Sequence, residues 1–327
     1  MPSGITHILL MKNLQTILPE SMLKHQMAAG RDFLQVGAVG PDLPYASIAD
    51  SDLFFTTQSE LADKFHYVKT NQVPLKALET IRTDKNQYTS RELRYIFNFF
   101  LGFISHIVAD GIMHPFIRDK VGNYHEHQSE HRVLEMQLDV LLFHYLTKYS
   151  GRPIELNFSN IHDELKNLNP DFYPEADKVT DLFVEKIEEV YGVSYERSLV
   201  YDWINGLHRM WGAAEGDHPA IYKEISFIKT FLFSNYEELR SKYDDILTLT
   251  VPVDRDENFL KKDKVHFFDD CVPRFNDKFI RLAYKVYDYL YSEGEAVTEA
   301  DIFPIDLDTG RDLAQNNNLD LIPSYWS

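Results

Sequence analysis

Apolar residues recur at helical spacing along most of the chain, and nowhere does the strict alternation of several half-buried strands replace that pattern. The spacing predicts a helix over Ser21–Ala29 closed by Gly30, another over Ser59–Leu78, and a central one starting at Ser90, with Glu92 in its first turn, that runs into the apolar stretch Phe99–Pro115. Further helices are predicted around Tyr124–Asp139 and over Asp181–Tyr191, Tyr201–Ala214, Tyr222–Phe233, Tyr236–Leu247 and Arg274–Tyr291. Phe33–Tyr45 mixes apolar residues with Gly37, Gly40, Pro41 and Pro44 and reads as an irregular loop through the interior, with Asp42 either a turn residue or a carboxylate aimed inward. Pro115 biases His114 away from helical geometry, so the central helix is expected to end or kink there, and Asp119–Tyr124 to turn the chain back. Pro153–Pro170 reads as a polar connection, and Ile302–Gly310 as a loop packing back on the body. The fold class is all-α, with residues 1–150 as a catalytic region and 151–327 as a helical continuation packed on it in one compact domain.

Two stripes of polar residues interrupt the apolar faces. His106, Asp110 and His114 recur every four residues among Phe99, Phe100, Leu101, Phe103, Ile104, Ile107, Val108, Ile112 and Met113. Each four-residue step advances the side chain by only roughly 40° around a helix, so the three point the same way into an apolar environment. His127, His131, Glu135 and Asp139 repeat the spacing on the next helix, beside Leu134, Leu138, Leu141 and Leu142. Either stripe alone also suits a surface pair or a hydrogen-bonded core group. Two facing stripes across a short connection point instead to a shared buried cation, because unpartnered imidazoles and carboxylates cost several kcal/mol in an apolar setting. His144, His162, His208, His218 and His266 are isolated and read as structural or exposed.

Composition narrows the chemistry. With 51 acidic against 33 basic residues the formal charge is −18, which argues against a nucleic-acid grip and against attraction to anionic membranes, while local cations still allow a small phosphorylated substrate. Cys271 is the single cysteine, so there is no disulfide framework or thiolate zinc knuckle, and any metal has nitrogen and oxygen ligands. The amino end has no positively charged leader and its apolar run is too short for a signal or a membrane span; a soluble, cytoplasmic protein without a transmembrane segment is expected. His127 and His131 have the spacing of a zinc-protease helix, but Gln128 stands where that helix needs its glutamate. Three residues separate His106 from Asp110, so the stripe lacks the adjacent His-Asp pair of one phosphohydrolase class, and neither stripe supplies the Glu-x-x-His of di-iron bundles; a Gly-rich phosphate loop and a nucleophile elbow are absent from the sequence.

Thr6-His7, Gly37-Ala-Val-Gly-Pro-Asp42, His66, Ser105-His-Ile-Val-Ala-Asp-Gly-Ile-Met-His114 and His131-x3-Glu135 follow one another in an order that resembles the zinc-dependent phospholipase C family. In motif they are closest to the catalytic domain of glycosylphosphatidylinositol-specific phospholipase D. The resemblance covers about the first 145 residues and implies a multi-helix bundle around a buried cluster of two to three zinc ions. It places Asp42, His66 and His106 on one zinc, Asp110 bridging to a second that also takes His7, and His114, His131 and Glu135 on a third, with His125 or His127 as alternatives to His114. It further implies that the free amino end, six residues before His7, can reach as a ligand. The implied activity is hydrolysis of a phosphodiester, of a phospholipid above all, by a metal-activated water that Asp42 orients or deprotonates. A metal-stabilised helical scaffold without catalysis, or a three-zinc nuclease, are the alternatives, the latter disfavoured by the acidity of the chain.

Overall fold

The computed structural model describes residues 4–49, 59–124, 126–149, 173–214, 232–250 and 264–315. In chain order these form α1 (Gly4–Ile17), α2 (Met22–Ala29), α3 (Arg31–Ala38), a 3-10 segment (Gly40–Ala49), α4 (Ser59–Tyr67), α5 (Gln72–Asp84), α6 (Ser90–Val121) and α7 (Gln128–Tyr149). There follow α8 (Ala176–Tyr191), α9 (Arg197–Ala214), the short α10 (Tyr236–Arg240) and α11 (Tyr243–Leu247), and α12 (Val272–Tyr291). The fold is all-α; among the described residues the sheet is one antiparallel pair, β1 (Thr248–Thr250) with β2 (Lys264–His266).

The molecule is wrapped around α6. Its start is set by a capping box: the Thr89 hydroxyl accepts from the Glu92 N–H at 3.2 Å, and the Glu92 carboxylate accepts from the Thr89 N–H at 2.7 Å. By length and composition α6 could cross a bilayer, but its apolar window is wholly buried in the fold. Phe183 of α8 packs edge-on against Phe99 and Phe103 at ring separations of 5.0 and 6.0 Å, and each fully buried aromatic of this kind contributes on the order of 2–3 kcal/mol. The other flanks of α6 meet α1, α3, α5, α7 and α12.

The region expected as an irregular loop is in fact α3 followed by the 3-10 segment, and its glycines serve helix contact. A methyl group at Gly37 would overlap the Phe99 carbonyl oxygen, and one at Gly102 would overlap the Leu34 carbonyl, so α3 and α6 touch backbone to backbone. The helix expected over Ser59–Leu78 is two, α4 and α5, divided at a turn where Lys69 takes a left-handed φ of 51°. Likewise Tyr236–Leu247 is divided into α10 and α11.

Pro115 neither ends nor halts α6, which continues to Val121 and buries Phe116 and Ile117. A proline inside a helix leaves the carbonyl four residues back without its donor. Here that carbonyl, Gly111, and the Pro115 ring lie directly under Gly310 (φ 67°), where a side chain would collide with both. The carboxy-terminal segment packs on the body as expected: Thr70 donates to the Ile305 carbonyl at 2.7 Å, Asn71 to the Ile302 carbonyl at 2.6 Å, and the Leu307 N–H to the His66 carbonyl at 2.9 Å. Pro153–Pro170, His162, His218, His125, the amino end before Gly4 and most of Tyr222–Phe233 lie outside the described residues.

Gly102→Ala is expected to cost about 1–3 kcal/mol by overpacking against rigid backbone. The chemical-denaturation midpoint should fall accordingly; an unchanged midpoint would show that α3 and α6 can separate freely.

Candidate metal centre

The eight expected site residues come from five elements; seven of them meet in one buried place, and the eighth, His131, is buried one turn before Glu135 and acts electrostatically on His114. α1 supplies His7, the 3-10 segment Asp42, the end of α4 His66, α6 His106, Asp110 and His114, and α7 His131 and Glu135; none is more than 7% exposed. Asp110 is the hub. Its Oδ2 lies 3.0 Å from His106 Nε2 and 3.7 Å from His66 Nε2, while its Oδ1 lies 3.2 Å from His7 Nε2 and 3.6 Å from His114 Nε2. His66 Nε2 also stands 3.2 Å from Asp42 Oδ1, and His114 Nε2 3.7 Å from Glu135 Oε1. Ligand atoms about 2.0–2.1 Å from a tetrahedral zinc are about 3.3 Å from one another, so these separations suit shared cations.

In two groups one ligand atom from each of three residues lies within 4.8 Å of the other two: His7, Asp42 and His106, and His66, His106 and Asp110. The rings of His7 and His106 stack at 4.0 Å, and His106 belongs to both groups, so the centre is continuous. On the other side of Asp110, a cavity of about 20 Å³, the size of one water or ion, lies among His7, Asp110, His114 and Glu135 under Met113 and Leu138.

Hydrogen bonding leaves this set of atoms uncompensated. His7 Nδ1, both Asp42 oxygens, His66 Nε2, His106 Nε2, Asp110 Oδ2, both His114 nitrogens, His131 Nδ1 and Glu135 Oε2 are buried and make no hydrogen bond. Buried polar atoms are ordinarily satisfied, and their convergence on one point is the signature of coordination. Three of the rings are oriented by backbone: His66 Nδ1 donates to the Ala62 carbonyl at 2.7 Å, His106 Nδ1 to the Ala38 carbonyl at 2.9 Å, and His131 Nε2 to the Gly122 carbonyl at 2.7 Å. Each bond fixes the tautomer that turns the other nitrogen's lone pair inward. The donor set, imidazole and carboxylate without thiolate, fits zinc.

The electrostatics agree. Burial works to raise the Asp42 and Asp110 carboxyls, but His106, together with His66 at Asp42 and with His114 and His7 at Asp110, outweighs it and holds both below the usual range. Burial pushes His114 and His131 down to about 4, so both are neutral and able to ligate at neutral pH. Glu135 is driven well above the usual glutamate range, chiefly by burial and further by Asp110 and Asp42.

His127 is half-buried against Gly122, and its ring lies beside that glycine. His144 stacks on Tyr236 at 3.8 Å, and His266 caps the turn at Asp269, both structural roles. Asp139, one turn beyond Glu135, accepts from the Thr6 hydroxyl at 2.6 Å and so ties α7 to the helix carrying His7. Sequence reasoning missed the orienting carbonyls of Ala38 and Ala62, which no side-chain pattern reveals, and the carboxy-terminal grip on His66.

The family model described as zinc dependent phospholipase C matches residues 6–189, more than half of the chain and all eight site residues. Neither a curated protein nor a solved structure matches the chain.

The same groups set a pH dependence for the chelated protein. Between pH 6.5 and about 4 the unfolded chain protonates two histidines that the fold keeps neutral, so stability falls on acidification; Glu135, protonated in the fold above its unfolded pKa, opposes one of them. Stability is expected to fall as pH drops from 6.5 toward 4, and Glu135→Gln, which removes the opposing group, should steepen the fall. Urea titrations at stepped pH would show this; a flat profile in both proteins would contradict it.

Proposed function

The chain belongs to the zinc dependent phospholipase C family, and on that premise we propose that it is a zinc-dependent hydrolase that cleaves the phosphodiester of a phospholipid by attack of water. The observation that carries the reading is the convergence of imidazole nitrogens and carboxylate oxygens, buried and without hydrogen bonds, on the two sides of Asp110. Asp42, His66 and His106 would hold one zinc, Asp110 would bridge to a second with His7, and His114, His131 and Glu135 would complete a third site. Bound zinc supplies Lewis acidity toward phosphoryl oxygens and acidifies the attacking water toward neutrality.

The remaining work belongs to the protein. Asp110, held anionic among imidazoles, fixes the spacing between the two halves of the centre. Asp42 contacts His66 through Oδ1 and leaves Oδ2 without a hydrogen bond, so it is the candidate to orient the water or to take its proton on Oδ2. The backbone carbonyls behind His66, His106 and His131 keep those rings from turning when substrate binds. Packing of α8 and α12 on α6, and of α9 on the segment that carries Asp42, supports reading residues 151–327 as a continuation of residues 1–150 in one domain. The finer likeness, to the catalytic domain of glycosylphosphatidylinositol-specific phospholipase D, makes inositol phospholipids the first substrates to test.

The near-complete burial of the eight side chains favours one second reading, in which the metals only brace the fold. Elemental mass spectrometry with and without chelation separates the two. Two to three zinc equivalents, removed together with phosphodiesterase activity, are expected, and Asp110→Asn should lose zinc and lower turnover by at least about a thousandfold, as removal of a nucleophile-activating centre does. Full turnover in Asp110→Asn, or zinc without any turnover of phospholipid or nitrophenyl phosphodiester, would overturn the hydrolase reading.

A further inference from the structure

The α6 stripe does not end at His114. Four residues further on, at the next position of the same face, stands Arg118. Side-chain exposure rises steadily along the stripe: 0% at His106, 2% at Asp110, 9% at His114 and 15% at Arg118. The row of ligand-type residues therefore runs from the interior toward solvent, and the guanidinium stands at its outer end. It lies one helical turn beyond His114, and its charge acts on His131 across the α6–α7 turn.

Arg118 is held there by a carboxylate from the far end of the chain. Its Nη1 donates to Asp308 Oδ2. Asp308 sits at the tip of a tight loop: Asp306 Oδ1 accepts from the N–H groups of Asp308 and Thr309 at 2.9 Å each, and the Gly310 N–H returns to the Asp306 carbonyl at 2.8 Å. The loop is anchored to the centre itself through Leu307 N–H on the His66 carbonyl. Asp308 also lies within electrostatic reach of Tyr67, next to His66, and of Tyr124, which feels Glu135 as well. An anion is thus already present at the outer, more exposed end of the stripe, which we take as the mouth of the site, on the one arginine of that stripe.

We propose that Arg118 is the phosphate-binding residue of this site, and that Asp308 occupies its guanidinium until a phosphate oxygen of the substrate takes that place. The inference rests on the hydrolase reading above for the substrate class. A guanidinium fork matches a carboxylate and a phosphate with the same planar geometry, so one can replace the other without moving the arginine. A chain of net charge −18 repels an anionic phosphodiester at long range, and a cation at the mouth supplies the local reversal of field that capture requires. Asp308 sets the threshold: the substrate must compete with it.

Calorimetric titration of inorganic phosphate into the zinc-loaded protein tests this, with KM and kcat on a nitrophenyl phosphodiester measured beside it. Arg118→Gln is expected to weaken phosphate binding at least about tenfold and to raise KM, while Asp308→Asn, which releases the guanidinium, is expected to tighten it severalfold. Both substitutions break the same clasp, so a purely structural pair would shift affinity in one direction in both variants. Shifts of the same sign, or unchanged binding in Arg118→Gln, overturn the proposal. Should Arg118→Gln fail to retain zinc, Arg118→Lys keeps the charge without the fork and is expected to bind phosphate more weakly than the parent; equal binding there, with no tightening in Asp308→Asn, overturns it equally. Arg118-dependent phosphate binding without phosphodiester turnover would remove the hydrolase reading and leave the assignment of Arg118 standing, and turnover with Arg118-independent binding would do the reverse.

Discussion

A carboxylate buried in the middle of an apolar helix is the constraint on which the rest of this structure depends. Asp110 is 1% exposed, and its neighbours along α6 are Ile107, Val108, Ala109, Ile112 and Met113. An isolated anion in such a place costs several kcal/mol at least, and no lysine or arginine approaches within ion-pair distance among the described residues. Imidazoles do, two on each carboxylate oxygen, from three different helices. A cation between those atoms removes the cost for every one of them at once, which is why α1, α4 and α6 have to meet here and why α7 must bring Glu135 to the same side as His114.

That meeting demands positional accuracy, and the backbone supplies it. Gly37 and Gly102 let α3 and α6 approach without intervening side chains, so the end of α3 sits at a fixed distance from His106. Carbonyls near a helix carboxyl terminus lack intrahelical donors and are ready acceptors. Ala38 ends α3 and takes His106; Gly122 follows α6 and takes His131. The ends of helices thus do double duty, closing an element and aiming a ring. His66 reaches back to its own helix at Ala62, and its carbonyl is in turn held by Leu307, so even the carboxy-terminal segment contributes to the orientation of one imidazole.

How much of this was legible follows from the kind of interaction involved. The stripes on α6 and α7 are legible because coordination needs particular side chains and a helix repeats them at fixed intervals; seven of the eight candidates lie within 3.7 Å of another, and His131 is buried one turn before Glu135. The expected end of the helix at Pro115 and the expected loop over Phe33–Tyr45 are not found, because the rules for glycine and proline describe an isolated backbone. In the fold the lost helical bond at Gly111 is covered by Gly310, almost two hundred residues away, and the glycines of α3 are spacers between helices. Lys69 breaks the predicted long helix with a left-handed turn that its side chain does not announce, and the bonds from Thr70 and Asn71 to the tail hold that turn. Contacts made by main-chain atoms across great sequence separation leave no pattern to read.

The titration behaviour of the centre shows why it favours a cation over either alternative of staying empty or filling with water. Neutral His114 and His131 present lone pairs, Asp42 and Asp110 remain anionic, and burial drives Glu135 toward its protonated form. Water can satisfy a few of these acceptors, yet a cavity of about 20 Å³ admits one molecule with two protons to donate. His114, His131, Asp42 and Asp110 could present several lone pairs to a divalent ion at once, and Glu135 would have to give up its proton to join them. Folding, protonation and metal loading would then be coupled, and the Arg118–Asp308 ion pair stands at the outer end of the α6 stripe, where exposure is greatest.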